Sequence, residues 1–419
     1  MFTLIEVLNF RSLRYVHQPL GPFHVLVGPN ASGKTTFLDA ISLLSDLVKE
    51  GLDAAIDKRT SNLRDLVWAG QGDRFEIAVE AAIPPEKTEK LADGAFRSFR
   101  YEVVIGLDPE TGERVILYEI GTLRKTEPAP LRPQPSLFPE APIPPDTILE
   151  PARKGARSVF TKKPRQHDNY YPETRDEAGS SGWVPAFRLG PRRSTLANLP
   201  EDESRFPVAT WFKDVLSRGV QQLVLNSLFI RRASPPGQVR RFKPDGSNLS
   251  WVISTIEGNS SRRLEAWIRH IRTALPDVKM IRTVERPEDK HRYLVIEYEQ
   301  GFSVPAWMTS DGTLRLLALT LPAYLPEFSG VYLIEEPENG IHPRAVETMF
   351  QALSSVYGAQ ILLATHSPVV LSMVDADKVL CFAKKDGATD IVPGNQHPRL
   401  RQWQGEENLG VLFAGGVLS

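Results

Sequence analysis

A glycine-containing loop near the N-terminus constrains this chain more than any other feature of its sequence. The loop matches the pattern G-x-x-x-x-G-K-[ST] and consists of Gly28, Pro29, Asn30, Ala31, Ser32, Gly33, Lys34 and Thr35, followed by Thr36. The preceding FHVLV predicts a short strand, and the following TTFLDAISLLSDLVKEGLDAAI has the apolar spacing of a helix. Because the pattern requires this context, a chance match in a glycine turn is disfavoured.

Such a loop binds phosphate for electrostatic reasons. Its glycines let backbone amides turn inward, and the N-terminus of the following helix adds the positive end of its dipole. We expect Lys34 to reach the β and γ phosphates of ATP and the Thr35 hydroxyl to bind Mg²⁺. The sequence therefore predicts ATP and Mg²⁺ as cofactors.

A pair of carboxylates is predicted at the end of a buried strand, VYLIEE, where apolar residues precede Glu335 and Glu336. Ligands bind at the carboxyl edge of parallel sheets. Adjacent strand residues point to opposite faces, so Glu335 can face the metal while Glu336 polarises the attacking water. Alone, the pair could be two solvated charges at a strand end, but the phosphate-binding loop favours the catalytic interpretation.

Two further polar segments lie close to this pair in the sequence. His366 follows the strand QILLAT, and its imidazole could hydrogen-bond the γ phosphate. Ser310 and Gly312 open the helix LRLLALTL, where they could present another phosphate-binding group of amides. Each segment also has a simpler interpretation, with His366 as a structural hydrogen-bonding residue and Ser310 as a helix N-cap.

The order of these segments resembles that of an ABC-type ATPase head. The resemblance is to the SMC, RecF and OLD-like group of ATPases, most closely to its stand-alone AAA-type proteins. It rests on the motifs NFRSL, GPNASGKTTFLDA, SDGTLRLLAL, LIEEPENGIHP and ATHSPVVL, and covers roughly residues 1–50 and 220–375. It implies an α/β P-loop NTPase of the ABC-head type, with a mixed sheet, an antiparallel β subdomain and an inserted helical region.

The resemblance also implies roles for individual residues. Residues 28–36 would form the Walker A loop, residues 334–336 Walker B with Glu336 as catalytic glutamate, and His366 the switch histidine. Ser310 and Gly312 would belong to the signature motif, which in this group completes the ATP site of a second protomer. Such a head would form a homodimer or a higher homo-oligomer.

Two departures from the group's pattern stand out. The metal-side residue is Glu335 where many ABC heads have Asp, although Glu-Glu-Pro is usual in the OLD-like branch. The signature reads TSDGT where others have LSGGQ. Residues 337–342 occupy the D-loop position, and Gln71, in VWAGQGD, is our candidate for the Q-loop glutamine.

Composition and periodicity divide the chain into five predicted regions. The five regions are an N-terminal part of the head (1–125), a proline-rich and basic linker or insertion (126–205), a helical insertion (206–285), the C-terminal part of the head (286–385) and a tail (386–419). The first region contains Walker A and an antiparallel sheet predicted from RFEIAVEAAI, FRYEVVIGL and RVILYEIGTL. We expect ATWFKDVLSRGVQQLVL to be helical. We expect HRYLVIEYE, VYLIEE and QILLAT to be strands, and the alternation of strands and helices after residue 290 to give a parallel sheet.

The composition excludes several classes of protein. A net charge of −1 and a charged fraction of 24% argue against a globally basic nucleic-acid-binding protein. The single cysteine, Cys381, excludes an internal disulfide framework. Because no apolar run is long enough for a membrane span or a signal peptide, we expect a cytoplasmic location and no membrane partner.

Two local basic clusters and the tail are candidate interaction sites. Either cluster could contact the phosphate backbone of DNA, or could be a solvated loop. Their cations are Arg153, Lys154, Arg157, Lys162, Lys163 and Arg165 in the first, and Arg231, Arg232, Arg240, Arg241 and Lys243 in the second. In the tail, Trp403 and Phe413 could dock a partner or pack on the head.

Two functions remain open at this point. The first is an ATPase that dimerises on ATP and regulates a separately encoded effector, a nuclease in antiphage defence. The effector is expected to be separate because the residues after 367 are too few for the TOPRIM nuclease domain of OLD-like proteins. The second is a RecF-like DNA repair or recombination ATPase without an effector. A transporter ATPase subunit is disfavoured, because the long proline-rich and helical insertion does not suit a compact transporter head.

Overall fold

The computed structural model describes residues 1–125, 143–151, 155–174 and 185–397. The predicted tail anchors Trp403 and Phe413 lie outside these residues, as do Arg153 and Lys154. Within the described ranges, no helix combines the length and apolar character needed to cross a bilayer.

The described elements alternate between strands and mostly short helices. The strands are β1 (Phe2–Phe10), β2 (Leu13–Pro19), β3 (Phe23–Val27), β4 (Arg74–Ala82), β5 (Ser98–Leu107), β6 (Arg114–Arg124), β7 (Ala156–Lys162), β8 (Asp168–Tyr170), β9 (Ala186–Phe187), β10 (Val220–Leu223), β11 (Val278–Glu285), β12 (Arg292–Tyr298), β13 (Ser303–Pro305), β14 (Gly330–Glu335), β15 (Ala359–Ala364), β16 (Val379–Lys385) and β17 (Ala388–Pro393). The helices are α1 (Lys34–Glu50), α2 (Leu52–Asp57), α3 (Pro85–Thr88), α4 (Pro207–Asp214), α5 (Ser227–Ile230), α6 (Leu249–Asn259), α7 (Ser261–Ala274), α8 (Asp311–Thr320), α9 (Pro343–Ser354) and α10 (Pro368–Leu371).

A six-stranded sheet in the order β10-β14-β15-β3-β16-β17 carries the candidate site. All neighbours in it are parallel except β16 and β17, which pair antiparallel. The loop after β3 therefore lies at the same edge as the ends of β14 and β15, which carry Glu335 and precede His366. This sheet joins the two ends of the chain, because β3 pairs with β15 on one side and β16 on the other.

A second sheet has eight strands in the order β2-β1-β4-β5-β6-β7-β8-β9 and is antiparallel throughout. One of its faces is polar although it is buried. The Arg100 guanidinium, 1% exposed, lies 2.7 Å from Glu6 and 2.6 Å from Glu102. Residues 143–151 cover this face, where Ile148 is buried against Leu8 and Ala78.

Helix α1 packs between the two sheets. Its buried residues, such as Phe37, Leu44 and Leu47, share one apolar core with the inner face of the eight-stranded sheet and with Leu26 and Leu333 of the six-stranded sheet. Alternate strand residues such as Val25 face the opposite core, which contains α6 to α9. The Walker A strand is thus covered on both faces, which fixes the loop that follows it.

Three expectations about local structure were wrong in part. Residues 220–223 form β10 and not the end of a helix, because they pair in parallel with β14 after Gly219 ends the helical segment. HRYLVIEYE forms β12 of a separate three-stranded antiparallel sheet, β11-β12-β13, outside the parallel sheet. The predicted three-stranded antiparallel sheet extends to eight strands, because β1 and β2 join it on one side and β7, β8 and β9 from the following region on the other.

Candidate functional site

The loop at residues 28–35 adopts a strained conformation that depends on its glycines. Gly28 and Gly33 have φ values of 149° and 106°, and Ala31 has a φ of 62°. A Cβ atom on Gly28 would lie 2.2 Å from the Phe382 carbonyl oxygen, and one on Gly33 would lie 2.1 Å from Thr389 Oγ1. The loop is therefore held against β16 and β17 at positions that admit no side chain.

Replacement of Gly33 by alanine tests this packing. We expect Gly33→Ala to lower the free energy of unfolding through two costs, a left-handed φ of about 1–3 kcal/mol and overpacking against Thr389 of about 1–3 kcal/mol. Urea denaturation measures the sum. Gly51→Ala is the matched control, because Gly51 has a φ of 91° and no atom within 4 Å of its added Cβ. Equal destabilisation by the two variants would contradict the tight packing of the loop.

Lys34 and Ser32 show that the loop suits a polyphosphate. Lys34 Nζ donates to the carbonyl oxygens of Gly28 and Pro29 at 2.8 and 2.9 Å, so its ammonium curls into the loop. Burial lowers the pKa of Lys34, while the charges of Glu336 and Glu335 act in the opposite direction. The Ser32 hydroxyl is buried and has no hydrogen-bond partner among the described residues. A phosphate oxygen is an acceptor for both groups.

Thr35 and Glu335 join the two halves of the site across 300 residues of sequence. Thr35 Oγ1 donates to Glu335 Oε2 at 2.5 Å. A hydroxyl and a carboxylate are oxygen donors of the kind that Mg²⁺ prefers, together with water and substrate phosphates. The predicted metal-binding residues thus lie in contact, and when bound there Mg²⁺ would neutralise charge on the phosphates.

Gln222 is a site residue that the sequence analysis missed. Its Nε2 donates to Glu335 Oε1 at 3.3 Å from the end of β10. Gln71, the candidate Q-loop glutamine, instead follows the short helix Trp68–Gly70 and is not among the described residues that line the cleft. Because a helix was expected at residues 220–223, the position of Gln222 beside the Walker B strand could not be inferred from the sequence.

Glu336 begins the loop after β14 and lies close to His366. It has a φ of 45°, which is unusual for a residue other than glycine and is typical of functional sites. Its carboxylate accepts a hydrogen bond from Asn339 Nδ2 at 2.5 Å and lies 4.0 Å from His366 Nε2. Burial and the nearby Lys34 charge lower the pKa of His366, which favours the neutral imidazole at pH 7.

Glu338 links the Walker B loop to the histidine loop. Its Oε1 accepts hydrogen bonds from Thr365 Oγ1 at 2.6 Å and from the His366 backbone N–H at 3.1 Å. Glu338 lies in the predicted D-loop region, where the sequence alone indicates no role for it. Its position makes it a positioning residue for His366.

An open cleft of about 340 Å³ brings most of the predicted residues together. It is lined by Arg11, Ser12, Asn30, Ala31, Ser32, Gly33, Lys34, Thr35, Thr36, Glu335, Glu336, Ala364, His366 and Lys384. Arg11 and Lys384 are cations that the sequence analysis did not assign to the site. The cleft therefore combines four basic side chains with the two carboxylates expected from Walker B.

The predicted signature residues lie elsewhere on the chain. Ser310 caps α8, and its Oγ accepts a hydrogen bond from the Thr313 backbone N–H at 3.2 Å. A Cβ atom on Gly312 would lie 2.5 Å from the Gly340 carbonyl oxygen, so the start of α8 abuts the D-loop region. Neither Ser310 nor Gly312 is among the described residues lining the cleft. Within one chain the two motifs are therefore separate.

Three of the six cations in the first basic cluster form contacts within the described residues. Lys162 Nζ lies 2.6 Å from Asp168, and both side chains are buried. Arg165 pairs with Glu110, and Arg157 donates to the Pro172 carbonyl oxygen. Burial excludes Lys162 from the predicted phosphate-binding cluster at residues 152–167, and the prediction stays open for the others. The partners of the three cations, Asp168, Glu110 and the Pro172 carbonyl, lie outside residues 152–167, so a charge count over that segment does not include them.

The cations of the second basic cluster are also partly held by contacts within the chain. Arg231 Nη2 lies 2.6 Å from Asp311 and donates to the Thr309 carbonyl oxygen at 2.9 Å. Arg232, Arg240 and Arg241 are exposed. Arg241 donates to the Ser329 carbonyl oxygen at 3.2 Å, whereas Arg232 and Arg240 form no ion pair with the described residues.

Comparison with known proteins places this geometry in a family. A family model described as "AAA domain, putative AbiEii toxin, Type IV TA system" matches residues 23–372. A 44-residue segment is 50% identical to an OLD nuclease of Thermus scotoductus (strain ATCC 700910 / SA-01), and the match spans 10% of this chain and 8% of that nuclease.

Two solved structures show the same fold at low identity. An Smc head bound to the C-winged helix domain of ScpA is 16% identical, with 93% of this chain and 96% of that chain covered and a TM-score of 0.51. An Smc head with an extended coiled coil, bound to the C-terminal domain of ScpA derived from Pyrococcus furiosus, is 14% identical, with 93% and 95% covered and a TM-score of 0.52. The predicted α/β P-loop fold of the ABC-head type is thereby confirmed. Because the family model spans most of the chain, from the Walker A strand to α10, the protein belongs to this AAA-domain family.

Proposed function

We propose that the protein hydrolyses ATP, that it dimerises around two ATP molecules, and that this cycle regulates a separately encoded effector, a nuclease in antiphage defence. The observation that carries the ATPase proposal is the 2.5 Å contact between Thr35 and Glu335, because it joins Walker A to Walker B. Mg²⁺ would be held by these two residues.

The residues of the cleft have distinct parts in this proposal. Lys34 and the loop amides bind the β and γ phosphates and orient them. Glu336 accepts a proton from the attacking water, and His366 donates a hydrogen bond toward the γ phosphate. Glu338 keeps His366 in place through its contacts with Thr365 and the backbone.

Dimerisation is proposed because the signature residues lie outside the chain's own cleft. Ser310 is exposed at the N-terminus of α8, where it can bind a phosphate presented by a second copy. ATP would then bridge the two heads, and its hydrolysis would remove the bridging charge and allow the dimer to open.

A charged, bulky residue at Ser310 tests this completion in trans. We expect Ser310→Arg to reduce ATP hydrolysis by about tenfold or more, because it blocks the opposite site, while the ATP dissociation constant of the isolated head stays unchanged. Ser310→Ala loses the same hydroxyl and helix cap without adding bulk or charge, so we expect it to reduce hydrolysis less than Ser310→Arg does. Hydrolysis measured by phosphate release and binding measured by calorimetry distinguish the two effects. Equal loss of both in Ser310→Arg would contradict the assignment to a second protomer's site.

The proposal of a nuclease effector is supported by the 44-residue segment shared with an OLD nuclease. Purification together with the products of adjacent genes, followed by mass measurement with and without ATP, tests it. We expect a complex with a nuclease whose composition changes on ATP addition. A neighbouring replication or repair locus without such a complex would favour the RecF-like alternative, and copurification with a membrane permease would favour a transporter subunit.

DNA is proposed as a further partner of the head. The support is the exposure of Arg232 and Arg240, whose guanidinium groups can contact phosphates without base-specific geometry. Nucleic acid would be the trigger that this ATPase senses.

A further inference from the structure

We propose that single-stranded nucleic acid binds in an open cleft beside the start of α8, with a base stacked on Trp307 and phosphates at Arg232. This inference rests on the proposed function, in which nucleic acid is a partner, and adds the place and the strand form. The cleft, called here the Trp307 cleft, has a volume of about 510 Å³. It is lined by Leu228, Arg231, Arg232, Ala233, Arg286, His291 and Trp307.

The lining of the Trp307 cleft is cationic. It contains three arginines and a histidine and no acidic residue. Arg231 is paired with Asp311, and Arg286 lies 2.6 Å from Asp289. Arg232 is exposed and forms no ion pair with any residue in the described part of the chain. Its guanidinium can therefore bind a phosphate without breaking an existing contact.

An exposed aromatic ring lies among these cations. Trp307 is 52% exposed, and its ring centroid lies 4.9 Å from that of Tyr293, which supports it from behind. Leu228 and Met308 next to it are 64% and 72% exposed. Large apolar side chains grouped on a surface indicate a binding site.

The combination favours a single strand over other anions. Unpaired bases stack on exposed aromatic rings while cations track the backbone, and this pairing of contacts is typical of single-strand binding. A duplex keeps its bases stacked internally and would use only the arginines. An acidic peptide would also neutralise the cations, but it would present no flat group to stack on the Trp307 ring.

The Trp307 cleft is connected to the proposed signature motif. Trp307 belongs to the short helix Ala306–Met308, which directly precedes Thr309 and Ser310. Arg231 contacts both the cleft and the residues that open α8, through the Thr309 carbonyl and Asp311. A strand bound here would touch the segment that is proposed to complete the partner's ATP site.

Fluorescence anisotropy with labelled oligonucleotides tests the site on the full chain. The probes are a 20-nucleotide oligo-dT, the matching oligo-U and a 20-base-pair duplex, all without ATP. We expect Trp307→Ala and Arg232→Glu each to raise the dissociation constant for the single strands by about tenfold. The matched controls are Tyr357→Ala, at an aromatic residue 90% exposed, and Lys90→Glu, at an exposed lysine of the eight-stranded region, and both should bind as the wild type does.

The outcomes separate this inference from the proposed ATPase function. Single-strand binding that is equal in the wild type and both cleft variants would overturn the inference. The inference would also be overturned if the protein bound no oligonucleotide but bound a polyglutamate peptide, and if the same two variants weakened that binding. Because binding is measured without nucleotide, a hydrolysis-deficient Glu336→Gln protein should still bind the oligonucleotide, so a failure of the ATPase proposal leaves this test intact.

Discussion

Replacement of Lys34 by alanine is expected to raise the dissociation constant for ATP by about 100-fold or more. The ammonium group is buried inside the loop, where it now donates to two backbone carbonyls. A bound triphosphate would replace these acceptors with charged oxygens, and a hydrogen bond to a charged group contributes about 1.5–3 kcal/mol. Two such bonds correspond to roughly two decades or more in affinity, at about 1.4 kcal/mol per decade. Titration calorimetry with ATP and Mg²⁺ measures the change.

Two controls make the Lys34 result specific. Lys384→Ala removes another cation that lines the same cleft, but one that is exposed and lies outside the loop, so we expect a much smaller loss of affinity. Circular dichroism and urea denaturation establish that the Lys34→Ala protein is folded, since the variant also removes two hydrogen bonds within the loop. A folded Lys34→Ala protein with wild-type affinity for ATP would rule out the loop as the nucleotide site.

The second large effect is expected for Glu336→Gln, which should bind ATP, hydrolyse it about 100-fold or more slowly, and accumulate as a dimer. Glutamine keeps the shape of the side chain and its contact with Asn339, but its amide cannot take up a proton from water. General bases contribute about 10²–10⁴-fold to catalysis. Light scattering after gel filtration with ATP and Mg²⁺ should show a mass twice that of the monomer.

The dimer in this experiment has its own controls. Glu347→Gln changes an exposed carboxylate of α9 and should hydrolyse ATP normally and not accumulate as a dimer. Adding Ser310→Arg to Glu336→Gln should return the protein to a monomer, because it removes the group proposed to contact the partner's nucleotide. A Glu336→Gln protein that stays monomeric at saturating ATP and Mg²⁺ would show that trans completion is wrong here.

The sequence predicted the cleft well where the chemistry is local. Walker A is a contiguous segment flanked by its strand and helix. Glu335 ends a buried strand, and Glu336 and His366 follow such strands within two residues, so a few neighbouring residues suffice to recognise them. Gln222 and Glu338 could not be found in this way. Gln222 acquires its position from the parallel pairing of β10 with β14, and Glu338 from a loop that approaches Thr365.

The eight-stranded sheet shows a second limit of sequence reasoning. Strands β4, β5 and β6 are visible as apolar runs, but β7, β8 and β9 are not, and Arg100 and Glu102 within β5 look like solvent-facing residues. In the structure both side chains are buried beneath residues 143–151. Arg100 forms ion pairs with Glu102 and with Glu6. Burial alone would raise the pKa of Glu6, yet the hydrogen bond from His17 and the charge of Arg100 lower it to about 2. Pairing across distant strands decides which charges can be buried.

The central place of β3 in the six-stranded sheet also affects biosynthesis. The partners of β3 on either side, β15 and β16, are translated more than 300 residues after β3 itself. Until then its apolar side chains have no sheet to join, and ATP cannot stabilise the nascent chain, since the residues that meet Thr35 have not been made. In the proposed cycle, nucleotide therefore protects only molecules whose translation has passed the histidine loop, and the earlier apolar segment is prone to aggregation in the interval.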